Sequence, residues 1–589
     1  MNMEILIKRG VVAAVKELYQ ADLALDAVSL NDTIKDYAGD ITLVVFPLTR
    51  ISKQGPEQTG VAIGAILKRD LGIVADFNVV KGFLNLEISS TYWTNFLADQ
   101  HQNASFGKGE AQRKVVLEYC GPNTNKPLHL GHIRNMLLGY STANLLKFAG
   151  NQVHKVNIYN DRGIAICKSM LAWQKYGKGA TPESTGTKGD HFVGKFYVEF
   201  DQQNKKQIES LLAKGKSKEE AEKQTDLLKE AQAMLLKWEQ GDKEVLALWE
   251  MMNNWCYAGF EETFKALGVD FEKHYKESDY YMRGKALVEE GLGNGVFYQK
   301  EDQSVWVDLE DKGLDHKLLL RGDGTSVYIT QDMGIAEARY KDYHFDESIY
   351  VVASEQDYHF KVLQLVLEKM EKPYAAGIYH LSYGLVNLPN GRMKSREGTV
   401  VDADDLMEEM IRTAEAHTKE LGKVDDFTDE EAKGLYQKLA LGALKYFILK
   451  VSPKKSMIFN PEESIDFQGN TGPFIQFNYV RIQSLLRKQE IGAVDYAQVN
   501  LTAEEKDLIK EIHKFPQMIS FAASNYDISE VTSFVYNLAK TYSKFYANTA
   551  ILSDTDDNTK FFRLQLSKWT GELLRTSFRI LGIEMPDRM

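Results

Sequence analysis

The sequence predicts an α/β protein: a parallel-sheet core carrying an insertion, preceded by a small α+β domain and followed by an all-α helical bundle. Three observations carry this expectation. Short β-branched and apolar runs alternate with helical stretches after residue 111, the spacing of βαβ units. Residues 181–300 interrupt the alternation, and helical patterns dominate from about 402 to 589. A chain of 589 residues is too long for one hydrophobic core. The expected division is 1–110, then 111–180 with 301–400 as the α/β core, 181–300 as the insertion, and 401–589 as the bundle.

In the first segment Ile7, Val11, Ala14, Val15 and Leu18 share one helical face, whereas ITLVVFPL and GFLNLEIS read as strands. The core opens with Lys114–Cys120 as a buried strand, ended by Gly121-Pro122-Asn123. From Leu130 onward Ile133, Leu137, Leu138, Ala143, Leu146 and Phe148 fit a helical face closed by Gly150. His154–Asn160 reads as a second parallel strand, followed by Asp161-Arg162-Gly163 and a helix through Trp173. Between Gln202 and Lys243 the Lys-, Glu- and Ala-rich sequence reads as solvated helix. Strand-like alternation returns at Ser326–Thr330, Ile349–Ser354 and Tyr379–Leu388.

Composition bounds the chemistry. With 44% hydrophobic and 26% charged residues the chain is globular, and no apolar run reaches eighteen residues, the span a membrane helix needs. The amino terminus lacks the apolar stretch of a secretion signal, and Cys120, Cys167 and Cys256 form no CxxC pair. A soluble cytoplasmic protein is expected. The net charge of −12 argues against indiscriminate nucleic-acid binding but leaves room for a local basic stripe, such as Lys445, Lys450, Lys454 and Lys455.

The chemically suggestive stretch is His129-Leu130-Gly131-His132, at the point where the first strand hands over to its helix. A helix N-terminus presents unpaired N–H groups and favours an anion. Two imidazoles there, with Lys126 upstream, suit the oxygens of a polyphosphate. Three other readings compete: zinc ligands, ordinary core or surface histidines, and a glycine that merely permits close packing. The absence of a cysteine pair or a second histidine cluster disfavours zinc.

The rest of the chain weighs against the other two. PNTNKPLHLGH resembles the signature of class I aminoacyl-tRNA synthetases, and the stretch EYCGPNTNKPLHLGHIR, from Glu118 to Arg134, resembles that of arginyl-tRNA synthetases. Further similarities follow in order: HFVGKFY after Asp190, YITQD at Tyr328, YVVASEQDYHF at Tyr350, GRMKSREGTVV at Gly391, GNTGPFIQFNYVRI at Gly469 and the terminal LGIEMPDRM. The resemblance spans nearly the whole chain. It implies a Rossmann-like catalytic core, a first domain that touches the tRNA elbow, an insertion beside the acceptor end and an anticodon-binding bundle.

It also implies arginine activation by ATP with Mg²⁺, then transfer to the 2′-hydroxyl of the terminal adenosine of tRNA(Arg). The family is usually monomeric and needs tRNA for activation. His129 and His132 are implied as catalytic, with Lys126, Arg392 and Lys394 as cations. Gly131, Met393, Ser395 and Arg396 join the histidines at ATP. Glu118, Asn123, Tyr328, Asp332 and Gln356 align with the amino-acid pocket, and Phe474, Tyr542, Tyr546 and Met589 with the anticodon side. No resident metal is expected, and Phe477 is expected in the core.

Physical chemistry supports that pocket. A planar cation with five N–H donors calls for carboxylates, best bidentate. Such a site rejects amino acids lacking a guanidinium without hydrolytic editing, so none is expected. Two departures stand out. Lys-Met-Ser-Lys-Ser, the usual class I loop, reads Arg392-Met393-Lys394-Ser395-Arg396, and the family's DWGxQFG reads Asp161-Arg162-Gly163-Ile164-Ala165-Ile166-Cys167. A class I synthetase for another amino acid and a non-catalytic tRNA-binding paralogue are the alternatives. The first is disfavoured by Glu118, Asp332 and Gln356 together, the second by the intact histidines.

Overall fold

The computed structural model describes residues 3–34, 36–387, 401–420, 426–553 and 556–589. Its contacts divide the chain into two compact units: residues 1–106 with 484–514 and 540–571, and residues 107–483 with 515–539 and 572–589. The 401–589 segment therefore contributes to both.

The first unit holds a four-stranded antiparallel sheet in the spatial order Leu30–Asp32, Ile41–Val44, Phe83–Ile88, Val74–Val80. Helix Met3–Tyr19 buries Ile7, Val11, Ala14 and Val15 as expected, but Leu18, in its last turn, is 38% exposed. Strand ITLVVFPL ends early, because Phe46–Leu48 turns into a 3₁₀ helix around Pro47. Helix Ala503–His513 packs in the same unit: Lys506 and Lys510 reach the buried Asp40 at 3.0 and 2.7 Å.

The second unit is built on a five-stranded parallel sheet. Its strands are β1 (Lys114–Glu118), β2 (Gln152–Tyr159), β3 (Lys273–Lys276), β4 (Glu347–Ala353) and β5 (Ile378–Tyr383), in the spatial order β3-β2-β1-β4-β5. The helices that matter for the site are α1 (Leu130–Phe148), α2 (Ile164–Tyr176), α3 (Gly189–Ala213), α4 (Asp226–Glu239), α5 (Lys243–Leu267), α6 (Glu277–Gly293), α7 (Tyr328–Tyr343), α8 (Asp357–Lys369) and α9 (Ala403–Glu420). This order reverses direction at β1, and ligands in such sheets bind outside the carboxyl ends of the strands flanking that switch. The crevice between the ends of β1 and β4 is thus marked by topology alone. Val116, Val156, Leu287, Met333, Leu363 and Val366 form part of the core beneath it.

Two expectations need correction. The strand expected at Ser326–Thr330 is instead the entry to α7, which starts at Tyr328. Five alternating residues lose to a longer helical period: Ile329, Met333, Ala336 and Arg339 are all buried along α7. The range 181–300 is not wholly an insertion either, because β3 within it is the edge strand of the central sheet. Its sequence, Lys-His-Tyr-Lys, has no apolar run, so nothing in its composition marks it as a sheet strand. Beyond residue 402 the regular elements of the described chain are helices, apart from one 3₁₀ turn, Tyr496–Gln498, and a two-residue strand, Met457–Ile458, beside Val386–Asn387.

Candidate active site

The end of β1 is held in an unusual turn. Cys120 adopts φ +81° and Gly121 φ +60°, the left-handed region that a non-glycine residue enters only when its surroundings enforce it. Here the backbone N–H of Cys120 donates to Asn135 Oδ1 at 2.6 Å and that of Gly121 to Asn157 Oδ1 at 3.0 Å. Asn135 in turn donates to the Val351 carbonyl of β4 at 2.7 Å. One amide from α1 therefore ties together the two strands that border the switch point.

Helix α1 starts where this turn delivers the chain. His129 is its N-cap: His129 Nδ1 accepts from the Gly131 N–H at 3.1 Å, and His132 Nδ1 accepts from the His129 N–H at 3.1 Å. The two rings lie 3.9 Å apart between centroids. Burial, aided by the charge of Lys126, pushes His129 down to about 4, and burial with both neighbouring charges holds His132 well below its ordinary value. Both imidazoles are neutral at pH 7. Because each Nδ1 is an acceptor, the ring proton resides on Nε2, so each histidine offers an N–H donor without a desolvated cation.

A cavity of about 1250 Å³ opens over this turn. It is lined by His129, Gly131 and His132, and by all five residues of the expected amino-acid pocket, Glu118, Asn123, Tyr328, Asp332 and Gln356. Lys126 does not line it, although its charge reaches both imidazoles. Arg392, Met393, Lys394, Ser395 and Arg396 lie outside the described residues.

The five pocket residues are not equivalent. Glu118 is bound internally: its carboxylate accepts from the guanidinium of Arg339, a fully buried side chain that lies over the rings of Tyr275 and Tyr350. Asp332 is more available. His359 Nε2 lies 2.5 Å from its Oδ2, and although burial alone would lower the imidazole, this contact raises it. Tyr328 is 81% exposed at the rim.

Two further groups, given no role from the sequence, line the same cavity. Glu277, the first residue of α6, is pushed up to about 7 by burial, with the charge of Arg162 opposing and those of Asp161 and Asp332 reinforcing. Its position after a polar four-residue strand carries no sequence signal. Arg162 stands at the departure noted above. It lies over Tyr281 and Trp238, at 4.1 and 5.4 Å from their ring centroids, and its Nη2 donates to Glu239 at 3.0 Å. Beneath it Asp161 is fully buried and accepts from the Ser278 N–H, the Ser278 hydroxyl and the Tyr257 hydroxyl.

The anticodon-side residues fare unevenly. Tyr542 is completely buried, so its ring is not offered to a base, and this corrects the expectation. Phe474 is half-buried against Tyr536, with centroids 5.9 Å apart, and Tyr546 is 37% exposed. Phe477 is only half-buried, with the Arg481 guanidinium 4.8 Å from its ring centroid. Of the four lysines suggested as a stripe, Lys445 is buried and donates to the Gly582 carbonyl at 2.5 Å; Lys454 and Lys455 are exposed. Among the described residues, Asp190, His191 and Asp404 cluster, as do Asp308, Glu310 and His316.

The family described as tRNA synthetases class I (R), catalytic domain, matches residues 94–460, and the DALR anticodon binding domain matches 475–589. The chain is 53% identical to the arginine–tRNA ligase of Parabacteroides distasonis and 48% identical to that of Flavobacterium psychrophilum, with 100% of both chains covered in each case. It belongs to the arginyl-tRNA synthetases. The fold agrees: an arginyl-tRNA synthetase structure from Thermus thermophilus matches with a TM-score of 0.80 at 23% identity, and one from Plasmodium falciparum with 0.77 at 18%, each covering 100% of both chains. In this synthetase the topological switch point, the histidine turn and the acid-lined cavity coincide.

Proposed function

We propose that this chain activates L-arginine with ATP and charges tRNA(Arg). One observation carries the reading: a single cleft joins a turn of neutral histidine donors to a wall bearing Asp332 and Glu277. The arginine carboxylate attacks the α-phosphorus, a P–O bond forms, and the bond to the β-phosphate breaks as pyrophosphate leaves. The protein's contribution is alignment of two anions and stabilisation of charge on the phosphoryl oxygens. His129 and His132, through Nε2–H, are the donors assigned to that charge. The terminal adenosine 2′-hydroxyl then attacks the arginyl carbonyl and releases AMP.

Mg²⁺ enters this scheme with ATP, as part of the substrate. Among the described residues, Glu118 is held by Arg339 and Glu239 by Arg162, which leaves Asp332, in contact with His359, and Glu277 as the carboxylates that line the cleft. At the other end, Asp332 and Glu277 are assigned to the guanidinium, with Tyr328 at the rim. Glu118, already neutralised by Arg339, is better placed to orient the α-ammonium with Asn123 and Gln356. On the RNA side Phe474, Tyr546 and Met589 remain the anticodon candidates, the first domain takes the tRNA elbow and the helices within 181–300 the acceptor end. A monomer in the cytoplasm completes the reading, in keeping with three free, buried cysteines.

Charging of unfractionated tRNA with each labelled amino acid in turn tests the whole. Arginine alone is expected to be transferred; transfer of another amino acid, or tRNA retention with no charging, would overturn it.

The position of Glu277 adds a pH dependence. Its carboxyl, titrating at about 7, attracts a guanidinium only when ionised. The KM for arginine is therefore expected to rise as pH falls below 7, by up to about tenfold per unit as a single proton blocks the site. Glu277→Gln should raise KM at pH 8 and flatten this limb; pyrophosphate-exchange kinetics between pH 6 and 8.5 read both effects.

A further inference from the structure

The HFVGKFY stretch is unused by the mechanism, yet it lies directly behind the histidine turn. At Gly194 a methyl group would meet the Pro127 ring at 2.8 Å and approach Lys126 Cα at 3.6 Å, so α3 packs closely on the residues that lead into His129. One turn earlier on the same helix stands His191. Its Nε2 lies 3.0 Å from Asp402 Oδ2 and 3.5 Å from Asp404 Oδ2.

Asp402 has a second task. Its Oδ1 accepts from the N–H groups of Asp404 and Asp405 at 2.9 and 3.2 Å, which caps the N-terminus of α9. Its backbone forms an antiparallel bridge with His129, flanked by Leu130 N–H to the Val401 carbonyl at 3.1 Å and Ala403 N–H to the Leu128 carbonyl at 3.0 Å. The segment pinned by His191 is thus hydrogen-bonded to the turn that presents the imidazoles.

The surrounding charges favour the ionised form of this pair. Lys188 Nζ donates to Asp404 Oδ2 at 2.6 Å and to Thr263 Oγ1 at 2.5 Å, and lies 3.4 Å from Asp190 Oδ2; Thr263 of α5 donates to Asp404 Oδ1 at 2.9 Å. The Lys188 ammonium already supplies the cation among these carboxylates, so no metal is needed. The Asp402 carboxylate, 3.0 Å from Nε2, raises His191 above its ordinary 6.5, against burial and Lys188, with Asp190 adding to the rise. Asp402 is correspondingly lowered: burial opposes the shift, but the bond to His191 and its capped N–H groups prevail.

We propose that His191 is a positioning residue for His129: paired with Asp402, it sets the 401–403 backbone against the histidine turn and so places the imidazole Nε2–H donors toward the triphosphate. This rests on the assignment of His129 to ATP. The charge on His191 is present below its raised pKa and is lost as pH rises through it, so the ion-pair attraction weakens and Asp402 faces a neutral ring.

ATP–pyrophosphate exchange with tRNA present, measured from pH 6 to 9 on wild type, His191→Gln, Asp402→Asn and His129→Ala, tests the inference. Asparagine keeps the helix cap and loses only the ion pair. Wild type should lose kcat on the alkaline side. Both pair variants should show kcat lowered by about tenfold at pH 7, the scale of a small misplacement of donors, with the alkaline limb removed and the arginine KM unchanged. A His191→Gln enzyme with wild-type kcat and limb, beside a disabled His129→Ala enzyme, overturns the positioning role alone. So does a lower kcat that keeps the wild-type limb, since that is what simple loosening of the fold gives. Wild-type exchange by His129→Ala overturns the assignment to ATP and the inference with it.

Discussion

Asp332→Asn is expected to lower kcat/KM for arginine in pyrophosphate exchange by about 10²–10⁴, the range given by a cost of about 3–5 kcal/mol for breaking a desolvated ion pair. The substitution keeps the shape of the side chain and its contact with His359 while removing the charge. It therefore isolates the electrostatic part of recognition from packing. The effect should fall on arginine and spare ATP, because Asp332 stands in the first turns of α7, an element separate from the histidine turn. A His359→Ala change acts one step further out, releasing Oδ2 of Asp332, and should cost less than the loss of the carboxylate itself.

The second large effect is at the other end of the cleft. His129→Ala should lower kcat for exchange by about 10²–10³, the usual loss when one preorganised donor to a developing oxyanion is removed. Its arginine KM should stay near that of wild type. Some stability will be lost as well, about 1 kcal/mol, because His129 is also the N-cap of α1. Denaturant midpoints separate that loss from the kinetic one. The double change at His129 and His132 should fall short of the sum of the single effects, since each imidazole accepts an N–H of the same turn and the two rings touch.

Much of the core is legible in the sequence. The β1–turn–α1 unit is a strand and a helix whose periods are long and apolar, and its boundaries hold to within two residues. The bundle beyond residue 402 follows from the same kind of signal. What failed was short or double-purpose. Ser326–Thr330 alternates for too few residues to outweigh the helix it begins, and β3 is a polar tetrapeptide that joins the sheet only through backbone pairing. Among site residues, the five pocket positions do converge on one cavity, yet no spacing rule could show that Glu118 is spoken for by Arg339, more than two hundred positions away. Tyr542 illustrates the converse: an aromatic at helical spacing is a core residue unless something uncovers it, and here nothing does. Glu277 became visible only when folding placed its carboxyl in the cleft beside Asp332.

The cleft is proposed to read a guanidinium with Asp332 while the histidine turn holds the phosphates. Amino-acid-dependent pyrophosphate exchange, run with tRNA present for wild type and Asp332→Asn side by side, tests it most directly. Exchange is expected with arginine alone, with a loss in the variant confined to arginine kcat/KM and the ATP KM preserved. Exchange driven by an amino acid without a guanidinium, or an Asp332→Asn enzyme that handles arginine as wild type does, would contradict it.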